Sequence, residues 1–244
     1  MINNRLRITD DGSHTIYSDE AGENYHSSYG AIQESEHVFI GAGLNTVADK
    51  ALTKVRILEI GTGTGLNILL SYLWSVKNRM SIEYHGYEPF PIKKSEALKL
   101  NYPKQLNIDS SLLMSIHNNV HGCVNLSEKF KLLMNKTAIA EAVLPSNFYN
   151  VIFFDAFSPE AQPEMWTPDI FTEIYRSLRY SGVLTTYCCK GSVKRALKES
   201  GFEIEKLSGP PGKREFLRAW KLENSSRQFD SAIQKEQLKG RVKH

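Results

Sequence analysis

The sequence Glu59-Ile60-Gly61-Thr62-Gly63-Thr64-Gly65-Leu66-Asn67 decides the fold of this chain. It joins an apolar run at residues 55–60, typical of a short strand, to a run at residues 66–76, typical of a helix. Its three glycines allow the backbone to turn tightly and to approach a ligand without side-chain obstruction. Because an open α/β sheet binds its ligand at such a turn, we expect residues 59–67 to form part of a binding site.

Strand-like and helix-like segments alternate along the rest of the chain. Strands are predicted at residues 55–60, 82–87, 130–134, 151–155, 183–188, 202–206 and 216–221, and helices at residues 66–76, 91–100, 171–178 and 193–200. This alternation predicts a Rossmann-like α/β fold with a mainly parallel, seven-stranded sheet and helices on both faces. The last two strands follow each other across residues 208–212, which predicts a hairpin and one antiparallel strand.

The segments on either side of this α/β region differ from it in composition. Residues 1–50 contain two short runs around a turn at residues 10–12, which predict a hairpin, and a short helix follows within residues 31–40. They have too few apolar residues for a core of their own, so we interpret them as a small cap on the Rossmann-like domain at residues 51–221. Residues 106–126 fit an inserted helix or loop. The polar residues 222–244 predict a mobile tail or a loosely attached helix.

Composition excludes several classes of protein. Of the 244 residues, 41% are hydrophobic and 23% are charged, and the longest apolar stretches are far short of the ~20 residues that a membrane span needs. The chain starts without a secretory signal pattern, and Cys123, Cys188 and Cys189 are too few for a disulfide framework or a four-ligand zinc site. We therefore expect a cytoplasmic protein without a metal or membrane partner. The net charge of +3 permits an anionic partner such as RNA.

Two acidic residues near the glycine turn indicate the cofactor. Glu59 directly precedes the turn and Glu88 ends the next strand. A carboxylate beside the turn would repel a pyrophosphate but suits the methionine ammonium of S-adenosylmethionine, directly or through water, and a carboxylate at Glu88 can accept both ribose hydroxyls. The third glycine also comes one residue earlier than in the dinucleotide pattern G-x-G-x-x-G. S-adenosylmethionine is therefore the predicted cofactor, and a nicotinamide dinucleotide is the alternative.

A family resemblance rests on two segments that follow the strand at residues 151–155. They are Phe154-Asp155-Ala156-Phe157-Ser158-Pro159 and Gln162-Pro163-Glu164-Met165-Trp166. Together with the glycine turn and the late Gly212-Lys213-Arg214-Glu215, they resemble the MnmC-type tRNA methyltransferase domain. The N-terminal Tyr25-His26-Ser27 and Gln33-Glu34-Ser35 are similar to its stand-alone branch, often called MnmD. The family methylates an aminomethyl group on the wobble uridine of certain tRNAs. Fused members add a flavin-dependent oxidase, for which this chain has neither the length nor a second glycine fingerprint.

The resemblance implies roles for particular residues. Asp155 would orient the substrate amine and secondarily accept its proton, although it could instead only cap the following helix. Phe157 and Pro159 would shape the amine pocket, and Trp166 would either stack on the base or pack in the core. Four cap residues would close over the cofactor: Tyr25, Tyr29, Gln33 and Glu34. Plain packing is the alternative for Tyr25 and Tyr29. The family tends to have an acid near adenine after the third strand, but residues 134–136 contain none.

The predicted partner is the anticodon stem-loop of tRNA. Lys190, Lys213 and Arg214 are candidate phosphate ligands, because basic side chains supply most of the affinity for RNA. A splayed base would then enter the pocket. Two other functions stay open on sequence alone: a nicotinamide-dependent oxidoreductase, and an RNA-binding module of the same fold without catalytic activity.

Overall fold

The computed structural model describes residues 5–47 and 52–223. The N-terminal cap begins with a three-stranded antiparallel sheet formed by strands β1 (Leu6–Ile8), β2 (His14–Ser18) and β3 (Glu23–Asn24). Helix α1 (Ala31–Ser35) follows and continues as a π-helix at Glu36–Gly41 and a 3-10 turn at Leu44–Thr46. The predicted hairpin is present, since β1 pairs with β2 antiparallel. The predicted C-terminal tail lies outside the described residues from position 224 onward.

The α/β region contains eight strands and six helices among the described residues. The strands are β4 (Lys54–Ile60), β5 (Ser81–Tyr87), β6 (Gly122–Ser127), β7 (Phe130–Asn135), β8 (Tyr149–Phe154), β9 (Leu178–Thr186), β10 (Glu203–Ser208) and β11 (Glu215–Trp220). The helices are α2 (Leu66–Asn78), α3 (Lys94–Ala97), α4 (Tyr102–Gln105), α5 (Ser110–Asn118), α6 (Pro168–Ser177) and α7 (Gly191–Glu199), with 3-10 turns at Ile139–Glu141 and Pro163–Trp166. Among the described residues, no helix is long and apolar enough to cross a membrane.

The strands form one sheet in the order β10-β11-β9-β8-β4-β5-β7-β6. Strands β7, β5, β4, β8 and β9 are parallel, whereas β11 runs antiparallel to both of its neighbours. The predicted Rossmann-like fold is therefore confirmed. The sheet has one strand more than the predicted seven, because β6 adds an antiparallel edge strand beside β7. This strand overlaps the segment that was predicted as a helix or loop. Its apolar alternation is weak, because only the half-buried Val124 and Leu126 alternate with polar residues.

Burial explains why the central strands form where they do. All six residues of β8 are buried, as expected for a strand covered on both faces. The chain passes from β4 through β5 to β7 on one side and from β8 to β9 on the other. The direction of winding thus reverses between β4 and β8, and an α/β sheet binds ligands in the crevice at the carboxyl ends of such strands.

One predicted helix is much shorter in the structure. Residues 91–100 were expected to be helical, but only α3 (Lys94–Ala97) forms there. The segment is too polar to bury a continuous face, with only Ile92, Ala97 and Leu100 in the core. Asn101 ends it and begins α4, so the chain makes two short turns of helix instead of one longer helix.

Candidate active site

A cavity of about 540 Å³ lies at the carboxyl ends of β4, β5 and β8. Its volume falls in the ~300–1,000 Å³ range of small-molecule sites. The glycine turn forms its floor, and cap residues from β3 to α1 form part of its wall. Strand ends and the cap thus enclose one chamber that combines polar and apolar lining groups.

The glycine turn fits closely against its neighbours. Gly61, Gly63 and Gly65 have φ values of +82°, +45° and +77°, in the left-handed region that favours glycine. A Cβ atom on Gly61 would lie 2.5 Å from the carbonyl oxygen of Asp155, and one on Gly63 would lie 2.7 Å from the ring of Tyr25. Gly61, Thr62 and Gly63 line the cavity, whereas Gly65 packs against Ile116 outside it. The first two glycines therefore allow the turn to pack against the end of β8 and against the cap, and the third allows it to pack against α5.

Glu88 ties the end of β5 to the glycine turn. Its Oε2 accepts a hydrogen bond from the Gly63 amide at 3.0 Å, and its Oε1 accepts one from the Phe90 amide at 2.9 Å. Burial raises the pKa of the Glu88 carboxyl, although these two amides favour its charged form. Glu88 lines the cavity beside the half-buried Tyr87 and the 3-10 turn at Ile139. This wall offers one acid with apolar surface next to it.

Asp155 and Glu59 are linked through one amide. The Nδ2 atom of Asn67 donates to Glu59 Oε1 at 2.8 Å and to Asp155 Oδ2 at 3.0 Å. Tyr84 donates its hydroxyl to the other oxygen of Glu59 at 2.8 Å. Burial, followed by the charge of Glu59, raises the pKa of Asp155 well above its usual range. Asp155 and Asn67 both line the cavity, so the predicted acid is directly accessible to a ligand.

Glu59 is fully buried behind the turn, with both carboxylate oxygens engaged by Asn67 and Tyr84. Burial raises the pKa of Glu59 to about 8. Glu59 is thus not among the residues that line the cavity, and its role toward a ligand ammonium, directly or through water, stays a prediction.

Two of the four predicted cap residues, Tyr25 and Glu34, line the cavity, whereas Tyr29 and Gln33 do not. Tyr25 lines the cavity, and its ring contacts the ring of Phe157 with a centroid distance of 4.9 Å. Gln33, predicted to close over the cofactor, is exposed on α1 outside the cavity. Its neighbour Glu34 is 6% exposed and lines the cavity instead. Successive residues of a helix point about 100° apart, so only one of the two can face the site.

Two residues of the Asp155–Trp166 segment are structural. Trp166 is buried, donates its indole N–H to the Phe157 carbonyl at 2.8 Å and packs against Phe154 at a centroid distance of 4.8 Å. It is not among the residues that line the cavity, which agrees with the alternative that it packs in the core. Pro159 also lies outside the cavity, whereas Phe157 lines it. The motif therefore shapes the pocket through Phe157, which Trp166 holds in place.

The three predicted basic residues meet at a second, shallower pocket. Lys190, Lys213 and Arg214 line it together with Ser158 and Tyr187. Lys190 forms an ion pair with the exposed Glu160. Lys213 forms an ion pair with Glu34, and its Nζ lies 4.3 Å from the centroid of the Tyr187 ring. Ser158, Tyr187 and Lys213 also line the first cavity, so the two pockets adjoin.

Three further residues line the cavity, and the sequence patterns assigned no role to them. His26 bridges Thr15 and Thr64, and its burial lowers the pKa of the imidazole to about 4, so it is neutral at pH 7. Tyr187 donates its hydroxyl to the Ala156 carbonyl at 2.9 Å. Glu23 accepts from the Ser158 amide at 2.6 Å. The position of Tyr187 at the end of β9 was a usable signal, whereas nothing in the sequence marked Glu23.

Comparison with known proteins agrees with this geometry. A family model described as S-adenosyl-L-methionine-dependent methyltransferase matches residues 104–222. The tRNA 5-methylaminomethyl-2-thiouridine biosynthesis bifunctional proteins MnmC of Delftia acidovorans and Nitrosospira multiformis are 29% and 30% identical over 84% and 83% of this chain. The chain spans about a third of their length, 33% and 34%. The crystal structure of MNMC2 from Aquifex aeolicus has a TM-score of 0.72 at 27% identity, covering 92% of this chain and 74% of that one.

Proposed function

We propose that this chain is an S-adenosylmethionine-dependent methyltransferase of the MnmC type, to which it is similar. It would methylate the exocyclic amine of 5-aminomethyluridine, with or without a 2-thio group, at the wobble position of tRNA. The proposal covers methyl transfer alone, since the chain spans about a third of its bifunctional relatives. The observation that carries it is the position of Asp155, which lines the same cavity as the glycine turn and Glu88. A tRNA substrate would place the reaction in the cytoplasm.

The residues of the cavity fit S-adenosylmethionine. Gly61, Thr62 and Gly63 line the cavity, and their backbone would face the methionine portion. Glu88 at the end of β5 would accept the ribose hydroxyls, and the apolar surface of Phe90 and Ile139 beside it suits adenine. Adenine binding by apolar contact would also account for the missing acid after β7. When bound, the cofactor supplies a methyl group that is attached to a sulfonium. After the transfer, the rest of the cofactor is a neutral thioether.

The protein must supply a neutral amine in the correct direction. An alkylamine with a pKa near ~10 is only about 0.1% neutral at pH 7, and removal of its proton costs roughly 4 kcal/mol. Asp155 would accept a hydrogen bond from the amine and direct the nitrogen lone pair at the methyl carbon. The lone pair would form the new N–C bond while the electrons of the C–S bond would stay on sulfur. Asp155 would accept one amine proton and release it to solvent.

The raised pKa of Asp155 suits this role better than an ordinary carboxylate would. A base works best when its pKa approaches that of the group it deprotonates and the working pH. Burial and the charge of Glu59 raise the pKa of Asp155, while a cationic ligand in the cavity would favour the ionised form. Phe157 and Tyr25 would limit the space around the amine. Lys190, Lys213 and Arg214 would bind phosphates outside it.

The test is a methyl-transfer assay with two synthetic anticodon stem-loops. One carries 5-aminomethyluridine at the wobble position, and the other carries unmodified uridine as the matched control. With labelled S-adenosylmethionine, we expect one methyl group on each aminomethyl RNA and none on the control. Absence of transfer to the aminomethyl RNA, or equal transfer to both, would contradict the proposal.

A further inference from the structure

Lys213 occupies the junction of the two pockets. It lies in the turn between β10 and β11 and lines both the deep cavity and the shallow basic pocket. Contacts with the cap fix this turn: a Cβ on Gly212 would lie 2.1 Å from the ring of Tyr29, and His37 hydrogen-bonds the Ser208 carbonyl at 2.8 Å. The cation therefore sits at a defined point between the amine cavity and the surface that would bind RNA.

The partner of Lys213 is unusual for a surface lysine. Glu34 is 6% exposed, whereas the side chain of Lys213 is 28% exposed. Glu34 also accepts a hydrogen bond from the Ser27 amide at 2.9 Å, and it lines the deep cavity together with Asp155. A buried carboxylate that loses its cation is strongly destabilised. Lys213 can therefore leave Glu34 at low cost only when another cation takes its place.

A nucleotide that carries an aminomethyl group offers both replacement charges in one molecule. Its ammonium can pair with a carboxylate, and its phosphate can pair with a lysine. Resting on the proposed function, we propose that Glu34 and Lys213 form a charge-exchange site that recognises the substrate as an amine attached to a phosphodiester. The RNA phosphate binds Lys213 at the shallow pocket, and the released Glu34 binds the substrate ammonium beside Asp155.

This exchange discriminates against amines without a phosphate. A free amine or a nucleoside must compete with Lys213 for Glu34, and a tethered lysine has a high effective concentration. An RNA substrate removes this competitor as it binds. The ion pair thus determines specificity, because it separates when a nucleotide binds and stays intact in the presence of polyamines or free amino compounds.

The test compares two substrates on a set of variants. They are the anticodon stem-loop with 5-aminomethyluridine and the free nucleoside 5-aminomethyluridine, assayed for kcat and KM separately. In Lys213→Met, we expect kcat/KM for the RNA to fall about tenfold, because the RNA loses a phosphate ligand. We expect kcat/KM for the nucleoside to rise about tenfold, because its amine no longer competes with Lys213 for Glu34. In Glu34→Gln, KM should rise for both substrates, because the ammonium loses its partner. Lys190→Met is the matched control, in which only the RNA reaction should weaken.

Opposite effects of Lys213→Met on the two substrates distinguish exchange from a merely structural ion pair. Equal losses for both substrates, or a nucleoside rate no higher than that of the wild type, would overturn the inference. The double variant Glu34→Gln/Lys213→Met leaves no unpaired buried charge, and it should lose the discrimination between substrates while keeping its melting temperature. Methylation of the RNA by the wild type tests the proposed function separately, so the two failures are distinguishable.

A measurement on the wild type needs no variant. Inorganic phosphate should stimulate methylation of the free nucleoside, since it can occupy Lys213 and release Glu34. Chloride at the same ionic strength is the control and should not stimulate. Failure of phosphate to stimulate the nucleoside reaction would count against the exchange.

Discussion

At the scale of single residues, the site depends on carboxyl groups whose surroundings differ. Asp155 opens onto the cavity, Glu59 is sealed behind it, and Asn67 contacts both. The Oδ1 atom of Asn67 is buried without a hydrogen-bond partner among the described residues. If the amide group of Asn67 flipped, a protonated Glu59 or Asp155 would donate a hydrogen bond to this oxygen. Burial raises the pKa of both carboxyls, and the charge of Glu59 adds to the rise at Asp155.

Asp155→Asn tests the role of the accessible carboxyl. The amide keeps the shape of the side chain and an oxygen for Asn67, but it cannot accept the amine proton. Because general base catalysis contributes roughly 10²–10⁴-fold, we expect kcat to fall by at least about a hundredfold. Calorimetry should show nearly unchanged affinity for S-adenosylmethionine. Lost cofactor binding instead would move Asp155 from the amine to the cofactor.

Glu59→Gln tests the buried carboxyl through the pH dependence of stability. The pKa of Glu59 is raised from 4.5 to about 8 in the fold, so the folded chain binds a proton that the unfolded chain releases. The contribution of this proton to the free energy of unfolding is complete below pH 4.5 and is lost as the pH rises to 8. The free energy of unfolding changes by up to about 1.4 kcal/mol per pH unit in this range. In urea unfolding without cofactor, the variant should gain stability relative to the wild type from pH 5 to pH 8. Parallel curves would refute the assignment.

Glu88→Gln tests the predicted ribose contact. The amide oxygen can still accept from one of the Gly63 and Phe90 amides, but the charge is lost. A missing hydrogen bond to a charged group costs about 1.5–3 kcal/mol, which corresponds to a roughly 10- to 150-fold rise in Kd for S-adenosylmethionine. The melting temperature without cofactor serves as the control for the turn. An unaltered Kd would defeat the ribose assignment.

At the scale of structural elements, the proposed cofactor site depends on the turn between β4 and α2. Gly63→Ala would place a methyl group 2.7 Å from the Tyr25 ring, so the cap or the turn must shift. We expect cofactor affinity to fall at least tenfold, by calorimetry. Gly22→Ala is the matched control, because its φ of +71° is equally unusual but its Cβ would meet no atom within 4 Å. Equal losses in both variants would indicate backbone strain rather than contact with the cap.

Sequence patterns predicted the elements that bury a continuous apolar face. Strands β4, β5 and β8 and helix α2 form within a few residues of the predicted bounds. Strand β6 was missed because an edge strand buries little and needs only a partner, which the sequence does not reveal. The order of strands and the contact between the cap and the β10–β11 turn likewise depend on distant segments. Local periodicity has no access to such contacts.

The candidate site was predictable where a strand end fixed the residue. Asp155 and Glu88 follow β8 and β5, so their place at the crevice could be predicted. The choice between Gln33 and Glu34 depends on how α1 is rotated, and this is set by packing of the cap. Trp166 carries a strong family resemblance yet serves the core. Resemblance identified the segment correctly, but only the geometry separates its pocket residue from its supporting residue.

At the scale of the whole molecule, the cap and the α/β domain form the site jointly. The Glu23 contact with Ser158 connects the cap to the segment after β8, and the ion pair of Glu34 with Lys213 connects it to the β10–β11 turn. The deep cavity would receive the cofactor and the amine, and the adjoining basic pocket would receive the RNA backbone. The proposed substrate, an RNA with a protruding alkylamine, would span both pockets.

Mass spectrometry of tRNA wobble nucleosides tests this account most directly. Nucleosides would be compared between cells that contain the protein, cells that lack it and cells that contain only the Asp155→Asn variant. We expect the 5-aminomethyl form to accumulate in the second and third, and the 5-methylaminomethyl form to return with the wild-type chain. Identical wobble nucleosides in all three would contradict the account.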